Sequence, residues 1–131
     1  MANVISTTVP DVQKVVEALK HQHGEFSLAM LYKEDGLSET GWNLIVASPW
    51  ADRLGRAEAT RAVTRALSEG LNLENKQAIS RITILPTKDR FVAEITARYQ
   101  VASPGAGQWI QNASAAGIPI GTAFIFYSRA D

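Results

Sequence analysis

The chain has 131 residues, with 13 Lys+Arg balanced by 13 Asp+Glu, two His and no Cys. That length matches one hydrophobic core, so a single domain over 1–131 is expected. A 46% hydrophobic and 20% charged composition argues against disorder. Zero net charge removes the electrostatic basis for general nucleic-acid binding, and the missing cysteines exclude disulfides, thiolate metal sites and cysteine nucleophiles.

The charges are also evenly spread. Residues 1–65 hold 7 basic and 8 acidic groups, and residues 66–131 hold 6 and 5. Met1 to Val9 has no basic segment followed by an apolar run, as a secretory leader would. The most apolar stretch, Ile118 to Tyr127, is broken by Pro119 and Gly121. It falls well short of the roughly 20 residues of a spanning helix. A cytoplasmic protein without membrane contact is the expectation.

Val12, Val15, Val16 and Leu19 fall on one helical stripe, with Thr8 as candidate N-cap, Pro10 in the first turn and Gly24 as the stop. Phe26 to Lys33 is apolar on both alternating sets and reads as an interior strand. Glu34, Asp35 and Gly36 supply the turn that follows. Trp42 to Ser48 is a second strand, ended by Pro49. Residues 53–70 return to helical spacing through Ala59, Val63, Ala66, Leu67 and Leu71. Arg81 to Leu85 is a third strand, ended by Pro86.

Residues 89–101 fit two patterns. Phe91, Ala93, Ile95, Ala97, Tyr99 and Val101 alternate as in a strand, while Val92, Ile95 and Tyr99 fit a helix. The alanines, the Glu94/Arg98 spacing and the cap candidates Thr87 and Asp89 favour the helix. Ala102 to Gly107 is a loop, and Trp109–Ser114 and Ile120–Ser128 read as a hairpin turning near Gly117. The order α-β-β-α-β-α-β-β predicts an α/β domain with a mixed sheet of about five strands, with α+β as the open alternative.

This order has a consequence for function. If the second and third strands pair in parallel, the loops after Ser48 and Leu85 share one end of the sheet, where open α/β sheets tend to bind ligands. Those loops carry Trp50, Asp52 and Arg53, and Lys88, Asp89 and Arg90. An aromatic ring, three cations and two helix starts would suit a small anionic or nucleotide-like ligand. Solvated loop charges, helix caps and a core tryptophan account for the same residues.

Other motifs carry less. His21 and His23 lie about 200° apart on a helix, which does not suit a shared metal. No metal site or cofactor is expected. A hydrolase of the Ser-His-Asp type lacks its G-x-S-x-G elbow. The G-x-G of Gly105 to Gly107 has neither a third glycine nor a Walker lysine. Arg61 and Arg65 form a short ridge answered by Glu58.

The succession of a strand, a polar loop and Trp42-Asn43-Leu44-Ile45-Val46 resembles the start of the minimal nucleotidyltransferases over residues 26–48. That family places Gly-Ser after the first strand and two metal-binding aspartates at the second. Here Tyr32-Lys33 and Trp42-Asn43 occupy those places. The resemblance therefore implies a degenerate, non-catalytic relative, since triphosphate chemistry needs carboxylates to hold Mg²⁺.

Two functions are expected to compete. The first is a non-catalytic interaction or regulatory protein acting through its surface, as a homodimer joined by the C-terminal strand if that strand is an edge. In that strand Ile125 and Tyr127 lie opposite Phe124 and Phe126, and coverage of both faces within one chain is the plain alternative. The second is a small anionic-ligand or nucleotide-binding protein using the two loops.

Overall fold

The computed structural model describes residues 8–33, 41–102 and 107–129. The elements run α1 (Thr8–His23), β1 (Leu28–Lys33), β2 (Trp42–Ala47), α2 (Pro49–Leu54), α3 (Arg56–Gly70), α4 (Leu73–Ala78), β3 (Ile79–Ile84), α5 (Arg90–Arg98), β4 (Gln108–Ala115) and β5 (Ile118–Ser128). The turn read at Glu34 to Gly36 and most of the G-x-G loop lie outside the described residues.

One five-stranded mixed sheet has the order β3-β2-β1-β5-β4. Only β2 and β3 pair in parallel, and the other neighbours are antiparallel. Both faces of the central strands are apolar because both are covered. Val12, Val16 and Leu19 of α1 and Val63 and Leu67 of α3 pack with Leu31, Leu44, Val46 and Phe126. On the opposite face Phe91, Val92 and Ile95 of α5 pack with Leu28, Met30, Ile45 and Ile125. Each such fully buried side chain contributes about 1.5–3 kcal/mol relative to exposure, so these two layers hold the sheet in place.

Four sequence expectations change. The helix read over 53–70 is two helices. Ser48 caps α2 by accepting from the Ala51 N–H at 3.0 Å, Pro49 opens it, and Gly55 at φ 90° separates it from α3. The short helix α4 intervenes before β3, capped by Asn72 through the Asn75 N–H at 2.8 Å. Thr8 does not act as the cap expected of it; its hydroxyl donates to Asn75 Oδ1 at 2.9 Å, from within α1. Residues 90–98 are the helix favoured above, with Asp89 accepting from the Phe91 N–H at 2.8 Å.

The fourth change bears on function. β5 lies between β1 and β4, and its Thr122–Ile125 segment is paired on both sides. Self-pairing through an unpaired Ile118–Ser128 strand is therefore overturned, and the open edges belong to β3 and β4. The pairing slips from Ala29↔Tyr127 to Met30↔Ile125, passing over Phe126. This bulge lets Phe124, Phe126 and Tyr127 all join the α1 side, while Ile125 joins the α5 side.

Ala116 and Gly117 form a two-residue turn between β4 and β5, with φ values of 52° and 79°. Two positive φ values match the right-handed twist of a hairpin, and Asn-Gly suits them better than Ala-Gly. Ala116→Asn is expected to stabilise the protein by about 0.5–1 kcal/mol, because asparagine tolerates the left-handed region that alanine's Cβ resists. A urea midpoint equal to or below that of the parent would contradict this. The Ala116 N–H donates to Glu94 Oε1 at 2.9 Å, a bond the substitution keeps.

Candidate functional site

The two loops do converge. The Leu85 N–H donates to the Val46 carbonyl at 2.9 Å, continuing the β2–β3 ladder to its carboxyl end. Beyond it, the Thr87 hydroxyl donates to Asp52 Oδ2 at 2.6 Å and the Thr87 N–H to Asp52 Oδ1 at 3.3 Å. The loop after β2 is thus tied to the loop after β3, as the parallel pairing requires.

The six candidate residues nevertheless take different roles. Trp50 is only 3% exposed. Its ring stacks on His23 at 4.6 Å and meets Phe26 edge-on at 5.8 Å, so it closes the core beneath the end of α1. The carboxylate of Asp52 is engaged by Thr87, and that of Asp89 caps α5. Arg90 is exposed and reaches Glu94 at 3.8 Å. Arg53 and Lys88 are exposed and have no ion pair among the described residues. The loops come together, but only two of the three cations are left for a ligand, without the aromatic ring.

The residues singled out by the nucleotidyltransferase resemblance are placed as follows. Tyr32 pairs with Asn43 across β1 and β2. Asn43 Oδ1 accepts from the Thr83 hydroxyl at 3.0 Å, and Trp42 is buried beneath the Lys33 ammonium, 4.4 Å from its ring centroid. Among the described residues, no group of three or more His, Asp or Glu side chains gathers as a metal site. Nor is any described helix long and apolar enough to cross a membrane. Tyr127 has its phenol pushed above the ordinary value of 10.0, first by burial and then by the carboxylates of Glu17 and Glu25.

A different feature emerges at β4, where sequence reading assigned no role. β4 is an edge strand of eight residues, Gln108–Ala115, with neither a charge nor a proline. Natural edges are usually blunted by such residues. Trp109 on this strand is 53% exposed. Its ring lies 5.1 Å from that of Phe124 in a T-shaped arrangement and 6.4 Å from that of Trp42, contacts that hold the indole at the surface. Asn112 takes a φ of 55°, and no ladder pair forms between Gln111↔Thr122 and Ala113↔Ile120. That irregularity leaves Gln108–Gln111 as the regular stretch of the edge. The available signal was a run of eight uncharged residues containing a tryptophan; what the sequence lacked was the strand order.

Comparison with family models, with curated proteins and with solved structures finds no match for this chain.

Proposed function

We propose that this protein is a non-catalytic interaction protein that works through the open edges of its sheet and pairs with a second copy of itself through β4. The observation that carries this reading is the uncharged β4 edge with Trp109 half-exposed on it. Backbone N–H and C=O groups on an edge seek partners, and a two-fold axis would set Gln108–Gln111 of one protomer antiparallel to the same residues of the other. No like charges would then face each other, and the two indoles would add apolar area at the seam.

Sedimentation equilibrium across a concentration series tests the pairing. A monomer–dimer equilibrium is expected, and the double variant Gln108→Lys/Gln111→Lys is expected to remain monomeric, because lysines on an edge strand repel a second edge. Both positions are exposed, so the fold should survive the change. A strict monomer at several hundred micromolar, or a double variant that associates like its parent, would remove the proposal.

Anion binding at the two loops is the weaker reading. Its support is the convergence of the loops and the exposed Arg53 and Lys88; against it stand the burial of Trp50 and the engagement of both aspartates.

A further inference from the structure

The opposite edge of the sheet shares the open backbone of β4 but differs from it in charge and in the trough beside it. β3 is flanked by a groove of about 330 Å³ between it and the C-terminal half of α3. Leu67, Leu71, Ile79 and Ile82 line it with apolar surface, and among the described residues Lys76 and Arg81 are the ionised side chains that line it. Both cations are exposed, and neither has an ion pair or side-chain hydrogen bond among the described residues. No carboxylate among the described residues lines the groove. The edge is therefore cationic beside an apolar trough, whereas the β4 edge carries no charge.

We infer that the β3 edge binds an extended segment of a partner protein in which apolar residues alternate with Asp or Glu, added to the sheet as a sixth strand. Three features of the edge each select part of that description. Among the described residues the outer backbone of β3 has no neighbouring strand, so it offers ladder hydrogen bonds to an extended chain. Successive side chains of such a chain point to opposite faces, so every second residue would fall on the side of the groove. Leu67, Leu71 and Ile82 would receive apolar groups there. Lys76 and Arg81 select the charge of the remaining residues, since bringing a cationic segment against two unpaired cations would cost energy that an acidic one regains.

A second copy of this chain fits less well. β3 would present its own Arg81 to the Arg81 of the other copy near the two-fold axis, and like charges across such a pairing are destabilising. This inference is independent of the β4 dimer, because it uses the other edge.

The test uses the full chain and two fluorescent ten-residue peptides, one alternating Val with Glu and one alternating Val with Lys. Saturable anisotropy is expected for the acidic peptide alone. Lys76→Glu/Arg81→Glu should weaken it about tenfold or more, as should high salt, because exposed charge pairs are screened. Ser68→Trp, at an exposed position on the groove wall, should block binding by filling the trough. Amide exchange should slow across Ile79–Ile84 in the complex. Equal binding of both peptides, no binding of the acidic one, unchanged binding in both variants, or protection at β4 instead of β3 would each overturn the inference. Loss of dimerisation in Lys76→Glu/Arg81→Glu would also overturn it, by making the groove a self-interface. Loss of the dimer in Gln108→Lys/Gln111→Lys with intact peptide binding would leave it standing.

Discussion

Trp50→Ala is expected to cost about 3–5 kcal/mol, the range found for deleting a buried aromatic side chain. For a chain of this size that lowers the melting temperature by on the order of 10–20 °C. The reasoning begins with burial. Trp50 is 3% exposed on a helix of only six residues, and it fills the space between His23, Phe26 and the end of the sheet. A short helix gains little from its own hydrogen bonds and depends on such packing. Trp50→Phe should behave differently. The indole Nε1 is buried and finds no hydrogen-bond partner among the described residues. An unsatisfied buried donor carries a desolvation cost of about 1–3 kcal/mol, which the phenylalanine removes while leaving a smaller void. The two effects oppose each other, so Trp50→Phe should stay within about 1 kcal/mol of the parent. Urea midpoints of the three proteins provide the check. A ligand-facing indole would give another pattern: both variants would be stable, and both would lose any rise in melting temperature produced by phosphates or nucleotides.

The same residue marks where the sequence was legible and where it was not. Strands β1 and β2 could be read because both alternating sets are apolar, and a strand covered on two faces leaves that mark. Helix α5 could be read from the spacing of Val92 and Ile95, its alanines and the cap candidate Asp89, while Tyr99, counted on the same stripe, is its C-cap. Element order left the parallel pairing of β2 and β3 as a condition; the structure meets it, and Asp52 and Thr87 come together at its carboxyl end. Side-chain direction did not follow. Nothing local to Trp50 says that its ring turns under His23, because that depends on where α1 ends relative to the sheet. The break at Gly55 was masked by the helical spacing that continues beyond it, although Ser48-Pro49 is itself a helix-start signal. The strand order β3-β2-β1-β5-β4 was the largest missing piece. β5 is apolar on both faces because it is interior, and its residues alone left an edge strand and a strand covered on both faces as equal alternatives. The residues lining the groove beside β3 all fall between Thr64 and Ile82, but only the folding of α3 back onto β3 brings them to face one another.

Asn75→Asp is expected to destabilise the protein by about 3 kcal/mol at neutral pH, at the upper end for a buried polar group deprived of its donor. Asn75 is 2% exposed on α4 and joins two residues of α1. It accepts from the Thr8 hydroxyl at 2.9 Å and donates through Nδ2 to Asp11 Oδ2 at 2.8 Å. These bonds span 67 and 64 positions of sequence. They fix the start of α1 against the segment that leads into β3, and so against the wall of the groove. The substitution preserves shape but exchanges a donor for a second carboxylate facing Asp11. Burial and the neighbouring negative charge both favour the protonated form, so the new carboxyl titrates in the folded protein above its unfolded value of about 3.9. The sign follows from linkage. A folded-state value above the unfolded one gives stability that is complete below about pH 3.9 and is lost as pH rises through the folded value. The protonated group can also donate to Asp11, as Nδ2 does in the parent. The gap between variant and parent should therefore be smallest near pH 4 and widest at pH 7, measured as the difference in urea midpoints. Asn75→Ala lacks a titrating group, so its deficit, about 2 kcal/mol, should change less between the two pH values. A gap for Asn75→Asp that is the same at both would show that Asn75 does not donate to Asp11, leaving the Thr8 hydroxyl as its hydrogen bond to α1 among those described.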